Sequence, residues 1–212
     1  MKPKVIIFDM DGVIFDSVPF AEKFLAVLYP GITVKMHREA LCGNVHDGLA
    51  KLNISKLKET EEEMNLRYEQ YAKDKLSVSM FDGMKKLLTD FYSRGYTLVL
   101  NTSAYRANCV PLLEKAGILN LFDFVGTVET SKSKVEKFEM IKNKYSVDGD
   151  DILFITDTLG DVKEAKIVNV STIAVTWGAH DRGYFARERC DNLVKIVDTV
   201  DELAKFIYGQ FA

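Results

Sequence analysis

Two aspartates near the start of the chain have a spacing that suits metal-assisted chemistry. The apolar run from Val5 to Phe8 is typical of a strand buried on both faces, and Asp9, Met10 and Asp11 follow it directly. Because side chains alternate faces in extended chain, Asp9 and Asp11 point the same way. Two carboxylates this close repel each other unless a cation lies between them, and Mg²⁺ prefers oxygen ligands. The alternative is an ordinary solvated turn.

Polar residues also follow other predicted strands. Thr102 and Asp157 each come after an apolar run, and Lys132 and Lys134 precede a helical pattern. Taken singly, these residues are explained as a helix cap, a turn residue and solvated lysines. Together with Asp9 they predict one site, because the carboxyl ends of parallel strands meet at one edge of a sheet. A carboxylate nucleophile with hydroxyl and ammonium donors suits phosphoryl transfer through an acyl phosphate.

The elements that position these residues follow an α/β pattern with an interruption. Strand and helix patterns alternate after residue 79, which predicts a doubly wound, mostly parallel sheet. Between the first strand and that point, the patterns are helical only, including a long charged stretch at 56–76. We therefore predict an α/β core of residues 1–16 and 79–212, with residues 17–78 inserted as a small helical domain.

Composition narrows the class of protein. The 212 residues are 47% hydrophobic and 28% charged, which is ordinary for a globular protein, and the net charge of -3 favours no nucleic-acid partner. No apolar run approaches the roughly 20 residues of a membrane span, and the charges of Asp9 and Asp11 make a signal peptide unexpected. The dispersed Cys42, Cys109 and Cys190 predict reduced thiols in a cytoplasmic protein. The oligomeric state is left open, and a monomer is compatible with the sequence.

The run from Asp9 to Ser17 fits the pattern D-x-D-G-[TV]-[LI]-x-D-S and so resembles the first motif of the haloacid dehalogenase-like hydrolase superfamily. Thr102, Lys134 and the segment 156–161 resemble its other three motifs. The likeness extends from Val5 to about Trp177. It implies a Rossmannoid core with a helical C1-type cap, similar to phosphoglycolate phosphatase-like and β-phosphoglucomutase-like members.

The resemblance also implies roles for the motif residues. Asp9 would be the nucleophile and Asp11 the general acid and base. Mg²⁺ would be held by Asp9, the backbone carbonyl of Asp11 and Asp157, with Asp161 acting directly or through a water. Thr102 and Lys134 would hold the phosphate.

Two departures from the family pattern affect these assignments. No proline follows either candidate lysine, so Lys132 stays open beside Lys134, which we favour because it directly precedes a helix. Thr156 stands where the family usually has glycine. That change alters the backbone room near the metal without removing a ligand.

The reaction implied is hydrolysis of a small phosphorylated metabolite, because an acid at Asp11 supplies the proton for a leaving oxygen. The mutases carry a histidine where Pro19, Phe20 and Ala21 stand, which disfavours a phosphomutase. A non-catalytic regulator phosphorylated on aspartate is the third possibility, although such a protein needs no cap.

The inserted helical region contains the candidates for substrate contact. Gly43 and Gly48 bracket a turn in which Asn44 and His46 could contact the leaving group, the alternative being a plain surface turn. Arg38 and Arg67 could meet an anionic substrate tail, although exposed helical arginines are the commoner case. His180 has no evident role.

Overall fold

One parallel sheet forms the centre of the molecule. The computed structural model describes the backbone of residues 5–211 and the side chains of residues 5–209, so residues 1–4 and 212 of the predicted core lie outside the described residues. The described strands are β1 (Val5–Phe8), β2 (Thr97–Asn101), β3 (Phe124–Gly126), β4 (Ile152–Thr156), β5 (Ser171–Val175) and β6 (Leu193–Val197). They lie in the order β3-β2-β1-β4-β5-β6, and every pair is parallel.

Helices cover both faces of the sheet. The described α-helices are α1 (Val18–Leu28), α2 (Val34–Ala40), α3 (Val45–Lys51), α4 (Glu61–Lys75), α5 (Met84–Ser93), α6 (Arg106–Ala116), α7 (Lys134–Tyr145), α8 (Leu159–Ile167), α9 (Arg182–Phe185) and α10 (Val200–Phe211). Two 3₁₀ turns, Leu119–Leu121 and Gly149–Asp151, complete the set. The predicted doubly wound α/β class is confirmed. Within residues 5–211, no helix is long and apolar enough to cross a membrane.

The first strand occupies the centre of the sheet because its four residues are apolar and suit burial on both faces. Ile6 and Phe8 pack into the larger core cluster, with Phe91 of α5, whereas Val5 and Ile7 pack into the second cluster. β1 pairs with β2 on one side and with β4 on the other, so the strand order reverses at β1. Such a reversal opens a crevice at the carboxyl ends of the strands, where ligands bind in α/β proteins.

Helices α1–α4 stand between β1 and α5 in the chain. The two segments that lead into and out of them lie side by side: the N–H of Asp16 donates to the carbonyl of Ser79 at 2.9 Å, and that of Phe81 to Ile14 at 3.0 Å. The charged helix α4 is shorter than the predicted 56–76, because Thr60 and Glu63 form a reciprocal cap that begins it at Glu61.

Candidate active site

Asp9 directly follows β1 and lines a cavity of 330 Å³ between the sheet and helices α1–α4. The N–H of Met10 donates to Asp9 Oδ1 at 2.7 Å, and the ammonium of Lys134 donates to Oδ2 at 2.8 Å. Burial raises the pKa of Asp9 well above its ordinary value, and the charges of Asp161 and Asp157 add to the rise against the opposing effect of Lys134. Asp9 is therefore a buried carboxylate that needs positive charge to stay ionised.

Lys134, the first residue of α7, supplies part of that charge. Its side chain is only 2% exposed, and its Nζ lies 2.6 Å from Asp161 as well as 2.8 Å from Asp9. Burial opposes the ammonium form, but Asp161 and Asp9 outweigh it and raise the pKa of Lys134. Of the two lysines left open by the sequence, the structure brings this one to Asp9. The backbone carbonyl of Lys132 accepts a hydrogen bond from the side-chain amide of Asn44.

Asp157 and Asp161 come from β4 and the first turn of α8. Asp161 accepts a hydrogen bond from Thr156 Oγ1 at 2.7 Å. Burial acts to raise the pKa of Asp161, but the charge of Lys134 and the hydrogen bonds from Lys134 and Thr156 hold it below its ordinary value. Asp157 Oδ2 accepts from the N–H of Ala179 at 2.7 Å, while its Oδ1 is buried without a hydrogen-bond partner. Burial raises the pKa of Asp157 to about 7.

Two glycines close around the Asp157 carboxylate. A Cβ on Gly12 would lie 2.0 Å from Asp157 Oδ2, and one on Gly178 would lie 2.3 Å from the same oxygen. Gly12 also has φ +74°, a left-handed conformation that glycine adopts without strain. The glycine of the Asp9–Ser17 motif thus makes both the turn after β1 and room for a carboxylate from another strand.

The acidic residues fit a divalent cation. Asp9, Asp157 and Asp161 are buried, Lys134 contacts two of them, and Asp157 keeps one oxygen unpartnered. Such an excess of buried carboxylate oxygen is the donor set that Mg²⁺ prefers. Among the described residues, no three His, Cys, Asp or Glu side chains already converge on one point, and the Lys134 ammonium occupies the space between Asp9 and Asp161.

Thr102 reaches the site from the end of β2. The residue lines the cavity, and its hydroxyl accepts a hydrogen bond from the N–H of Ala104 at 3.1 Å. The backbone carbonyl of Thr102 accepts from Lys137 Nζ at 2.6 Å, a contact that sequence reasoning missed. Burial lowers the pKa of Lys137 to about 8, and the positive charge of the nearby Lys134 adds to this shift. Nothing in the sequence separates this buried lysine from the exposed ones of α7.

Two side chains hold the Asp11 carboxylate in position. Ser17 Oγ donates to its Oδ1 at 2.5 Å, and Lys75 Nζ lies 2.7 Å from the same oxygen. Lys75 ends α4 and has a side chain only 2% exposed, although nothing in the sequence distinguishes it from Lys73 in the same turn. A residue of the inserted helices therefore orients the carboxylate expected to transfer the proton.

The two residues predicted to contact a leaving group have different positions. His46 lines the cavity, and its Nε2 is buried without a hydrogen-bond partner. Asn44 does not line it: its side-chain oxygen caps α3 at the N–H of His46, and its amide donates to Glu164 at 3.3 Å and to the carbonyl of Lys132 at 3.4 Å. The side-chain amide of Asn44 thus binds the core while its oxygen caps α3, and contact of Asn44 with a leaving group stays a prediction.

The inserted helices rest on the core through polar contacts around the cavity. His180, which is fully buried, contacts the carbonyl of Arg38 at 2.8 Å with Nε2 and accepts from the N–H of Leu159 at 2.9 Å with Nδ1. The N–H of Gly160 donates to the carbonyl of Leu41 at 3.0 Å. The helices thus lie closed over the strand ends, and His180 has the tethering role that the sequence did not reveal.

Comparisons with known proteins agree with this arrangement. A model of the haloacid dehalogenase-like hydrolase family matches residues 6–175. Phosphoglycolate phosphatase 1 of Pseudomonas aeruginosa is 25% identical over 97% of this chain and 82% of its own length. Tyrosine-protein kinase PtkA of Mycobacterium tuberculosis is 24% identical over 95% of this chain and 72% of its own. A crystal structure of a predicted phosphatase from Clostridium acetobutylicum superposes with a TM-score of 0.76 at 22% identity, covering 99% of this chain and all of that one.

Proposed function

The chain belongs to the haloacid dehalogenase-like hydrolases and is a phosphatase by its relatives; we propose that it is a Mg²⁺-dependent enzyme that hydrolyses a small phosphorylated metabolite through an aspartyl-phosphate on Asp9. One observation carries the proposal. Asp9, Lys134 and Thr102, which come from three separate segments, line one cavity, and the Lys134 ammonium contacts the Asp9 carboxylate at 2.8 Å. Nucleophile, charge and donor are the parts that phosphoryl transfer requires.

In the first step, a carboxylate oxygen of Asp9 attacks phosphorus, and the bond from phosphorus to the leaving oxygen breaks. Lys134 and Thr102 hold the equatorial phosphate oxygens, Lys134 by charge and Thr102 by its hydroxyl. Asp11 gives a proton to the leaving oxygen, which departs as a neutral alcohol. Lys75 and Ser17 set the direction of the Asp11 carboxylate for that transfer.

In the second step, Asp11, now ionised, takes a proton from water. The water oxygen attacks the phosphorus of the aspartyl-phosphate, inorganic phosphate leaves, and Asp9 is regenerated. Asp9, Asp157 and Asp161 would hold Mg²⁺, which when bound supplies positive charge to the phosphate oxygens and keeps Asp9 ionised. The backbone carbonyl of Asp11 is the further ligand that the family resemblance implies.

We assign residues 17–78 as a cap that shields this chemistry. The paired segments at Asp16 and Ser79 are the points at which the chain leaves and re-enters the core, which supports the boundary. Closure by the cap limits the access of bulk water, so that the acyl phosphate reacts with the water that Asp11 activates. The three cysteines are free, which suits the reducing cytoplasm in which we propose that the enzyme acts.

The test is phosphate release from a panel of phosphomonoesters, with and without MgCl₂. We expect turnover that requires Mg²⁺ and that disappears in Asp9→Asn. Asp150→Asn, which changes an exposed aspartate in the turn before β4, serves as the matched control and keeps full activity. Metal-independent turnover, or full activity in Asp9→Asn, contradicts the proposal.

The same preparation separates the alternatives. A requirement for a sugar bisphosphate activator would indicate a phosphomutase. A phosphoryl group that persists on Asp9 for minutes to hours would indicate a regulatory protein rather than an enzyme. Rapid turnover of labelled Asp9 supports the phosphatase.

A further inference from the structure

The wall of the cavity opposite the catalytic residues is apolar and aromatic. Six cap residues illustrate its character: Phe24, Leu25, Leu28, Leu49, Tyr68 and Tyr71. The ring of Phe24 lies 4.1 Å from that of Tyr71 and 5.6 Å from that of Tyr68, measured between centroids, so the aromatic side chains form a packed surface. A leaving group that extends from a phosphate on Asp9 meets this surface.

The cationic side chains that line the cavity are already paired. Among the described residues that line the cavity, the lysines and arginines are Lys75 and Lys134, which bind Asp11 and the pair Asp9 and Asp161. A carboxylate or second phosphate on the leaving group would find no free cation here. Burying an unpaired charge against apolar side chains is unfavourable.

The two arginines that the sequence offered for an anionic substrate tail are used elsewhere. Arg38 Nε lies 3.4 Å from Glu22, and Arg67 Nε lies 2.9 Å from Glu59. Neither arginine lines the cavity. The contacts that would recognise a charged tail are therefore not available on this side of the site.

One neutral imidazole on the cavity lining is unpaired. His37 and His46 both line the cavity; Nε2 of His46 is buried without a hydrogen-bond partner, whereas Nδ1 of His37 lies 3.9 Å from Glu22 Oε1. Burial lowers the pKa of both imidazoles, which favours their uncharged forms. An unpaired buried nitrogen costs free energy that a hydroxyl or ring nitrogen of a ligand would recover.

We propose that the substrate is the phosphate monoester of an uncharged aromatic alcohol that carries at most one neutral hydrogen-bonding group. The proposal rests on the phosphatase function above and gives its substrate class. It differs from what the name of one relative suggests, because phosphoglycolate has a carboxylate on its leaving group. The aromatic wall contacts the ring, and the His46 imidazole contacts a neutral substituent where the ring carries one.

The experiment compares benzyl phosphate with 2-phosphoglycolate and glucose 6-phosphate at saturating Mg²⁺. All three have alkyl-oxygen leaving groups, so the comparison reports mainly on the wall. We expect kcat/KM for benzyl phosphate to exceed both others by at least about tenfold. An equal or higher value for 2-phosphoglycolate or glucose 6-phosphate overturns the substrate class while leaving the phosphatase function intact. If the protein hydrolyses no phosphomonoester at all, both the substrate class and the phosphatase function are contradicted.

A variant tests the wall directly. Leu49→Arg adds a guanidinium to a half-buried position on the cavity wall. We expect it to raise kcat/KM for 2-phosphoglycolate and lower that for benzyl phosphate, each by about tenfold. Leu66→Arg, at an exposed position of α4 outside the cavity, is the matched control and leaves the ratio unchanged. A ratio that moves equally in both variants, or in neither, contradicts the assignment.

Discussion

Lys75 Nζ lies 2.7 Å from Asp11 Oδ1 and links the last turn of α4 to the loop that follows β1. The lysine is buried and the aspartate about one-third exposed, so the pair stands at the edge of the cavity rather than within the core. In the mechanism proposed above, Asp11 transfers the proton, and an ammonium so placed would fix the position of its carboxylate while α4 lies against the core. In that mechanism, the position of α4 and acid–base catalysis are coupled through one contact.

Replacing Lys75 tests this coupling. In Lys75→Met we expect kcat to fall by about tenfold to a hundredfold, with KM changed much less, because general acid–base catalysis is worth roughly 10²–10⁴-fold. Steady-state kinetics on the best substrate of the panel measure both constants. Lys73→Met, an exposed lysine on the same helix, keeps wild-type values. Wild-type kcat in Lys75→Met would show that the contact is merely structural.

Gly178 controls the space around Asp157. Its backbone does not have a positive φ, but the added methyl would lie 2.3 Å from Asp157 Oδ2 and 2.4 Å from the backbone carbonyl oxygen of Gly12. Gly178→Ala should therefore displace the carboxylate and raise the Mg²⁺ concentration for half-maximal activity by about tenfold or more. Gly209→Ala, with open space around its Cβ position, is the control. An unchanged Mg²⁺ requirement would remove Asp157 from the proposed ligand set.

Much of the architecture was predictable because the relevant signals are local. Four apolar residues before Asp9 predict a central buried strand, and strand–helix alternation after residue 79 predicts a parallel sheet. The gathering of Thr102, Lys134 and Asp157 around Asp9 follows from parallel strand ends meeting at one edge. The family resemblance added roles to residues that spacing had already singled out.

What the sequence did not reveal depends on contacts between distant segments. Lys75 is 64 residues from Asp11, and its type and helical setting match those of exposed lysines such as Lys73. His180 lies 142 residues from Arg38, its tethering partner. The hydrogen bond from the Asn44 amide to Glu164, 120 residues further along the chain, is likewise not evident from the sequence. Sequence periodicity shows which face of a helix or strand is apolar, but it does not show which partner a buried polar atom contacts.

Lys137 gives a prediction about pH. Its ammonium is buried against the Thr102 carbonyl, and its pKa falls from 10.5 to about 8 in the folded protein. The unfolded chain therefore binds more protons between pH 8 and 10.5, so the free energy of unfolding should rise with pH across that window, by roughly 2 kcal/mol relative to Lys137→Met. Denaturant unfolding of both proteins at a series of pH values measures the difference. Parallel pH curves would contradict a buried, destabilised ammonium.

His180 tethers the cap from a fully buried position. In the neutral imidazole, Nε2 donates to the Arg38 carbonyl and Nδ1 accepts from the Leu159 N–H. His180→Ala leaves both partners unsatisfied and should lower the free energy of unfolding by about 3 kcal/mol. Arg187→Ala breaks a second cap contact, to Glu39 at 2.7 Å, but that pair is exposed, so we expect a much smaller loss. Equal losses in the two variants would contradict the role of burial.

The His180 contacts also depend on pH. Burial lowers the pKa of this imidazole below 6.5, so protonation is easier in the unfolded chain than in the folded one. The stability that His180 contributes is therefore complete above pH 6.5 and is lost as the pH falls from there towards the folded-state pKa. The protonated ring cannot accept from Leu159, which weakens the hold on the cap. Unfolding measured from pH 7.5 downwards should show wild type converging on His180→Ala, and a constant difference would refute the titration.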